Sequence, residues 1–196
     1  MSDAYLSFGD ADIVDGRPIW LRSETLRAAL LAELATTRGP IIELGAGAGN
    51  LAQALANHGI AEPDLVLIEA DRNMARLLRR RFPEASVFNR DATCLAVLDF
   101  YMKPDAGAIV SSLPFASMPL AKTLTILNAA FLCARPTAPF YQLSATLSSP
   151  IPDAALTRLD LTAERIHPVS TRRLQPSLFK IQRRDASALS ASPVLP

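Results

Sequence analysis

One acid and three glycines at alternate positions, Glu43, Gly45, Gly47 and Gly49, carry the most specific chemical signal in the chain. Alternating glycines open backbone conformations closed to residues with a Cβ and let a ligand come close to the main chain. A helix directly behind them offers unpaired N–H groups and the positive end of its dipole. A nucleotide-like ligand suits such a turn. Gly47-Ala48-Gly49-Asn50-Leu51-Ala52 also fits the G-x-G-x-x-A dinucleotide fingerprint, so the glycines alone leave the nucleotide open. Glu69 ends an apolar run about 20 residues further on, where a carboxylate is placed to accept both ribose hydroxyls. A third group, Ser111-Ser112-Leu113-Pro114-Phe115, follows another short apolar run. In an open α/β sheet that is the switch region, where an acceptor would meet the reactive end of the bound nucleotide.

Regular elements have to position these residues. Ser23 reads as the N-cap of a helix over 24–37, with Glu24 in its first turn and Leu26, Leu30, Leu31 and Leu34 at helical spacing. Strands are expected at 41–44, 64–69, 86–88, 107–110, 140–147, 159–167 and 178–183. Helices are expected at 51–58, at 72–82 with Pro83 as the stop, at 120–133 and at 153–158. Strand alternating with helix is the rhythm of an α/β fold, a parallel sheet with right-handed crossovers. The expected organisation is one domain over 1–184, of which 1–37 is an N-terminal segment and helix, followed by a disordered tail at 185–196 rich in Ser, Ala and Pro.

Composition narrows the function classes. The 196 residues are 49% hydrophobic and 20% charged, which is a globular balance with enough chain for a real core. A formal net charge of +1 argues against broad attraction to nucleic acid, so no nucleic-acid partner is expected. No apolar run approaches the roughly 20 residues of a membrane span, and Met1-Ser2-Asp3-Ala4 does not look like a leader, so a cytoplasmic chain, soluble or peripherally bound, is expected. Cys94 and Cys133 stand far apart and read as buried free thiols; with His58 and His167 equally isolated, no metal site is expected.

Three features keep two readings each. The helix over 24–37 packs on the domain edge, or serves as a lid or membrane contact together with Trp20, the only tryptophan. Arg72, Arg76, Arg79 and Arg80 lie near one face of their helix, a solvated face or a contact for anionic lipid. Tyr141, in the strand over 140–147, is a hydrogen-bond partner for a substrate or a packed core residue.

Glu43-x-Gly45-x-Gly47-x-Gly49 resembles motif I of the class I S-adenosylmethionine (SAM) methyltransferases. More specifically, the chain resembles the bacterial phospholipid N-methyltransferases, relatives of the rRNA adenine dimethylases, over roughly residues 18–184. Val110-Ser111-Ser112-Leu113-Pro114-Phe115 is similar to that family's S-G-L-P-[LF] segment, and Gln142 through Ser149-Pro150-Ile151 to its Q-[FL]-T-Y-x-x-x-S-P-[IL]. Ser112 replaces the usual Gly, and Ala145 stands where the family tends to have Tyr. The resemblance implies a Rossmann-like class I fold with a seven-stranded, mostly parallel sheet and helices on both faces. It implies SAM as cofactor, held by Glu43, Gly45, Ala46, Gly47, Gly49, Glu69, Ala70, Asp91, Ala92 and Ser111. In such enzymes the acid of motif I serves the amino-acid end of SAM, and an Asp at the position of Asp91 accepts from the adenine amine. Asp91 is equally well placed to cap the turn Ala92-Thr93-Cys94-Leu95, and one carboxylate has room for both. The implied acceptor is the amine of phosphatidylethanolamine, next to Leu113, Pro114, Phe115, Tyr141 and Trp20, with Ser112 and Tyr141 as positioning candidates. A small-molecule N- or O-methyltransferase and a non-catalytic SAM-binding module are the alternatives. Base methylases usually carry Asn or Asp where this chain has Ser112, which disfavours base methylation.

Overall fold

The computed structural model describes residues 23–98, 105–144, 148–166 and 176–184, and two short strands, Ile13–Val14 (β1) and Arg17–Pro18 (β2), which pair antiparallel. Trp20, Ala145, His167, Arg172, Arg173 and the 185–196 segment lie outside the described residues. The β1–β2 pairing was not expected from so polar a stretch.

Seven further strands form one sheet: Ile41–Leu44 (β3), Leu65–Glu69 (β4), Ser86–Asn89 (β5), Ala108–Ser111 (β6), Phe140–Ser144 (β7), Leu161–Arg165 (β8) and Ser177–Arg183 (β9). Their order is β5-β4-β3-β6-β7-β9-β8. The first five run parallel, and β9 runs antiparallel to β7 and β8. The chain leaves β3 toward β4 on one side and returns to β6 on the other, so the switch point falls at the carboxyl ends of β3 and β6.

Continuous apolar runs in the central strands reflect cover on both faces. Side chains alternate across the sheet, so Ile41, Leu65, Leu67, Ala108 and Val110 join one apolar layer with helices Glu24–Leu34 (α1), Asn50–Asn57 (α2) and Arg72–Arg81 (α3). Ile42, Leu44, Ile68, Ile109 and Phe140 join the other, with Leu95–Leu98 (α4), Leu120–Leu132 (α5) and Asp153–Arg158 (α6). The turn of helix in α4 was expected only as a capped turn. Ser23 does cap α1, its Oγ accepting the Leu26 N–H at 3.2 Å. The helix ends at Leu34, short of Thr37, because two β-branched threonines and then Gly39-Pro40 favour other backbone conformations. Its Leu26, Leu30 and Leu34 are buried. Among the described residues no helix is long and apolar enough to cross a membrane.

One arginine ties β9, next to the edge strand β8, to α5. Arg183 at the end of β9 donates to the carbonyls of Phe131 (2.5 Å), Pro136 (3.1 Å) and Arg135 (3.3 Å), and its guanidinium lies 5.2 Å from the Phe131 ring centroid. It satisfies the Phe131 carbonyl that the end of α5 leaves open and ties the turn after the helix to β9. Arg183→Ala is expected to lower stability by about 1–3 kcal/mol, the scale of hydrogen bonds to a charged group left unmade. Urea unfolding measures it, and a change under 0.5 kcal/mol, about the level of an ordinary surface substitution, would contradict the role.

Candidate cofactor and acceptor site

β3 delivers the glycine turn to the switch point. The Gly45 and Ala46 N–H groups donate to the Ile68 carbonyl of β4 at 2.9 and 3.2 Å, and the Gly49 N–H to Ala46 at 2.9 Å, which folds the turn back over the sheet. The glycines serve different ends. A Cβ on Gly49 would stand 2.5 Å from Phe82 and 2.7 Å from Leu78, so this glycine admits α3 against the turn. A Cβ on Gly45 would stand 2.9 Å from Leu113 of the Ser111–Phe115 segment. Gly47, with φ of +54°, has nothing within 4 Å of its Cβ position: this is where the main chain faces open space. Arg81 donates to the Ala48 carbonyl and lies 5.3 Å from the Phe82 ring centroid, so the one arginine placed off the α3 row in the sequence clasps the loop.

Two carboxylates stand behind the turn. Glu69 accepts the Gly47 N–H on one oxygen and the Asp71 N–H on the other, both at 2.7 Å. These two bonds aim it at the loop and leave lone pairs for further donors. Asn89, opposite Glu69 in the β4–β5 register, donates to the Glu69 and Ala70 carbonyls at 3.0 and 2.9 Å and holds that strand end in place. Glu43 is 3% exposed, and its Oε2 has no hydrogen-bond partner. Burial, reinforced by the charge of Glu69 and opposed only by the Ala52 N–H, pushes its carboxyl up to about 8.

Asp91 heads a turn of 3₁₀ helix at the end of β5. Its Oδ1 accepts the Thr93 N–H (2.9 Å) and hydroxyl (2.8 Å), as the capping reading expects, and its Oδ2 accepts from Lys122 Nζ at 2.9 Å. Burial works against its charge, but the Thr93 N–H, the Lys122 ammonium and the Thr93 hydroxyl outweigh it and hold the carboxyl below its ordinary value. Lys122 was invisible as a site residue in sequence, since no motif marks a lone lysine in the first turn of α5.

The Ser111–Phe115 segment is held from below. Ser111 is fully buried, and its Oγ accepts the Leu113 N–H at 3.1 Å. Ser112 Oγ lies 3.5 Å from the Gly45 carbonyl, which brings the segment onto the glycine turn. Gln142, fully buried on β7, donates to the Leu113 carbonyl at 2.9 Å and the Leu143 carbonyl at 2.6 Å, while its Oε1 has no partner. Leu113 and Pro114 are half-buried, and Ala116, Pro119 and Leu120 beyond them are exposed.

Two expected acceptor contacts stand elsewhere. Phe115 is fully buried with its ring centroid 6.2 Å from that of Phe140, so its ring fills the core. Tyr141 lies on the α1 face of the sheet; its hydroxyl donates to Glu33 at 3.0 Å, and Glu33 also accepts from Lys180 at 2.9 Å. Lys180 sits opposite Tyr141 in the β7–β9 register, which is how the three meet. Lys180 holds the Glu33 carboxyl below its ordinary value, whereas burial and then Glu33 push the Tyr141 hydroxyl up. The packed reading of Tyr141 is the one observed. The thiols divide: Cys133 is buried, but Cys94 is only half-buried. No group of three or more metal-ligating side chains occurs among the described residues.

No family model matches the chain. Ribosomal RNA small subunit methyltransferase A of Synechococcus sp. (strain JA-2-3B'a(2-13)) is 33% identical over 95 residues, 46% of this chain. The match covers only 31% of that relative's length. A TehB-like SAM-dependent methyltransferase from Corynebacterium glutamicum ATCC 13032 Kitasato superposes with a TM-score of 0.59 at 16% identity, covering 80% of this chain and 87% of its own. A SAM-dependent methyltransferase from Bacteroides fragilis in complex with S-adenosyl-L-homocysteine gives 0.59 at 14% identity, covering 84% and 79%. The fold of this chain is therefore that of the class I SAM-dependent methyltransferases, with the Rossmann-like, mostly parallel sheet and helices on both faces that the sequence led us to expect. An rRNA methyltransferase among the relatives weighs against excluding nucleic acid on net charge alone.

Proposed function

We propose that the chain is a SAM-dependent methyltransferase whose acceptor is the primary amine of a phospholipid headgroup. The observation that carries the cofactor reading is Glu43, a buried acid with an unpartnered oxygen behind the open backbone of Gly47. An ammonium or sulfonium draws the buried Glu43 carboxyl into its ionised form, whereas the pyrophosphate of a dinucleotide, itself an anion, gains nothing from it. SAM, when bound, supplies a methyl group already activated on sulfur. The residues present fit it: Glu43 for the cationic amino-acid end, Glu69 for the ribose, Asp91 for the adenine, and the backbone of Gly45, Ala46, Gly47 and Gly49 as the close-fitting wall beside Ala70, Ala92 and Ser111.

For such a transfer the chain mainly has to align the acceptor and keep water away. Ser111 and Gln142 fix Leu113, which lies against Gly45, so the proposed acceptor segment is packed directly on the glycine turn. Pro114 and Leu113 desolvate an entering amine, which favours its neutral, nucleophilic form. A lipid acceptor is supported by the exposed Ala116, Pro119 and Leu120 at this rim and by the exposed row of Arg72, Arg76, Arg79 and Arg80 on α3. Each basic residue near an anionic bilayer is worth about 1 kcal/mol, so a few together give salt-sensitive adsorption without insertion.

Transfer of labelled methyl from SAM into total lipid, a panel of soluble amines, and rRNA tests the assignment. Label is expected in the lipid amine fraction; label in rRNA alone would move the chain to the activity of its Synechococcus relative, and label in a soluble amine alone to a small-molecule enzyme. Replacing Arg72, Arg76 and Arg80 by Glu is expected to lower recovery on anionic liposomes at low salt and lipid methylation together, with cofactor affinity unchanged. Equal recovery on neutral and anionic liposomes would leave these arginines as a solvated face. Glu69→Ala is expected to weaken S-adenosylhomocysteine by about 1.5–3 kcal/mol, the scale of hydrogen bonds to a charged group, and unchanged affinity by calorimetry would remove Glu69 from the ribose.

A further inference from the structure

We propose that Lys122 reads the adenine ring together with Asp91, its ammonium donating to ring nitrogen N7 while the carboxylate accepts from the exocyclic amine. This rests on the placement of adenine at Asp91 and adds a specificity residue from a different element, the first turn of α5. The geometry is the juxtaposition of one donor and one acceptor 2.9 Å apart at the end of β5. Adenine presents the complementary pair side by side on its N6/N7 edge, whereas a 6-oxo purine presents two acceptors there and would set an oxygen against the carboxylate.

The hydrogen-bond count leaves room for it. Oδ1 of Asp91 is filled by the Thr93 N–H and hydroxyl, which locks the carboxylate in one orientation. Oδ2 carries a single donor, Lys122, and so keeps a lone pair for the amine. Lys122 has three donors, of which Asp91 takes one. Both side chains are part-exposed, Lys122 at 28% and Asp91 at 42%, so a base can reach them without unpacking α5. As a mere surface ion pair the contact would matter little to stability and not at all to base identity.

The test is calorimetry with S-adenosylhomocysteine and its 7-deaza analogue, in which N7 is a C–H. Wild-type protein is expected to bind the 7-deaza analogue roughly tenfold more weakly, the scale of one hydrogen bond to a charged group. Lys122→Met is expected to bind S-adenosylhomocysteine about tenfold more weakly and to lose nothing further with the analogue, because donor and acceptor belong to one contact. Losses that simply add, or an unchanged affinity in Lys122→Met, would overturn the proposal. Asp91→Ala separates the two levels. A large loss there with no effect at Lys122 leaves adenine at Asp91 and removes only the lysine, whereas no loss in Asp91→Ala removes the adenine placement itself and this proposal with it.

Discussion

A Gly47→Val chain is expected to fold and to lose at least about a hundredfold in cofactor affinity, close to 3 kcal/mol. The Cβ position of Gly47 meets no protein atom within 4 Å, so a side chain there starts out into open space, the space the proposed ligand would occupy. Its φ of +54° lies in the left-handed region, which adds a strain of about 1–2 kcal/mol without blocking folding. Gly49 provides the contrast. A side chain at that position runs into Phe82 and Leu78, so Gly49→Val is a folding defect before it is a binding defect. Calorimetry and thermal unfolding on the two variants separate these causes; near-wild-type affinity in a folded Gly47→Val protein would show that the ligand does not pass over this backbone.

Glu43→Gln is expected to make the cofactor-free protein more stable and the cofactor weaker. The folded-state carboxyl is raised to about 8 from an ordinary 4.5. Its stabilising contribution is therefore fully present below pH 4.5 and is lost as pH rises toward 8, because the unfolded chain ionises first. The neutral amide does not follow that titration, so the variant gains on the wild type across this window, by up to about 3 kcal/mol at pH 7. A cation bound at Oε2 reverses the balance, since it favours the ionised acid and has no counterpart in the amide. Thermal unfolding of both proteins from pH 5 to 8 reads the first effect and calorimetry the second. Parallel stability profiles, or equal affinities, would contradict a buried acid held ready for a cation.

Much of this was legible in the chain because it is encoded locally. Apolar runs bounded by glycine and proline mark the strands, the glycine spacing singles out Gly47, an acid ending the second run marks Glu69 at the tip of β4, and the resemblance to motif I adds Glu43. What remained hidden depends on which face a residue takes. Period-two alternation tells that Phe140 and Tyr141 point to opposite faces, but not that α1 covers the tyrosine and presents Glu33 to it. Phe115 ends a segment that reads as a substrate lip, yet its ring is buried in a tilted pair with the buried ring of Phe140. Lys122, Gln142 and Asn89 act across 20 to 31 residues of sequence, through contacts that only the sheet order creates.

Calorimetric titration of the purified chain with S-adenosylhomocysteine and, separately, with NADH bears most directly on the account. Both ligands suit a glycine turn followed by a ribose-binding acid, and they differ in what they bring to Glu43: a zwitterionic amino acid or a pyrophosphate. One-to-one binding of S-adenosylhomocysteine, with no measurable heat from NADH, is the predicted result. Tight binding of NADH with none of S-adenosylhomocysteine would contradict it.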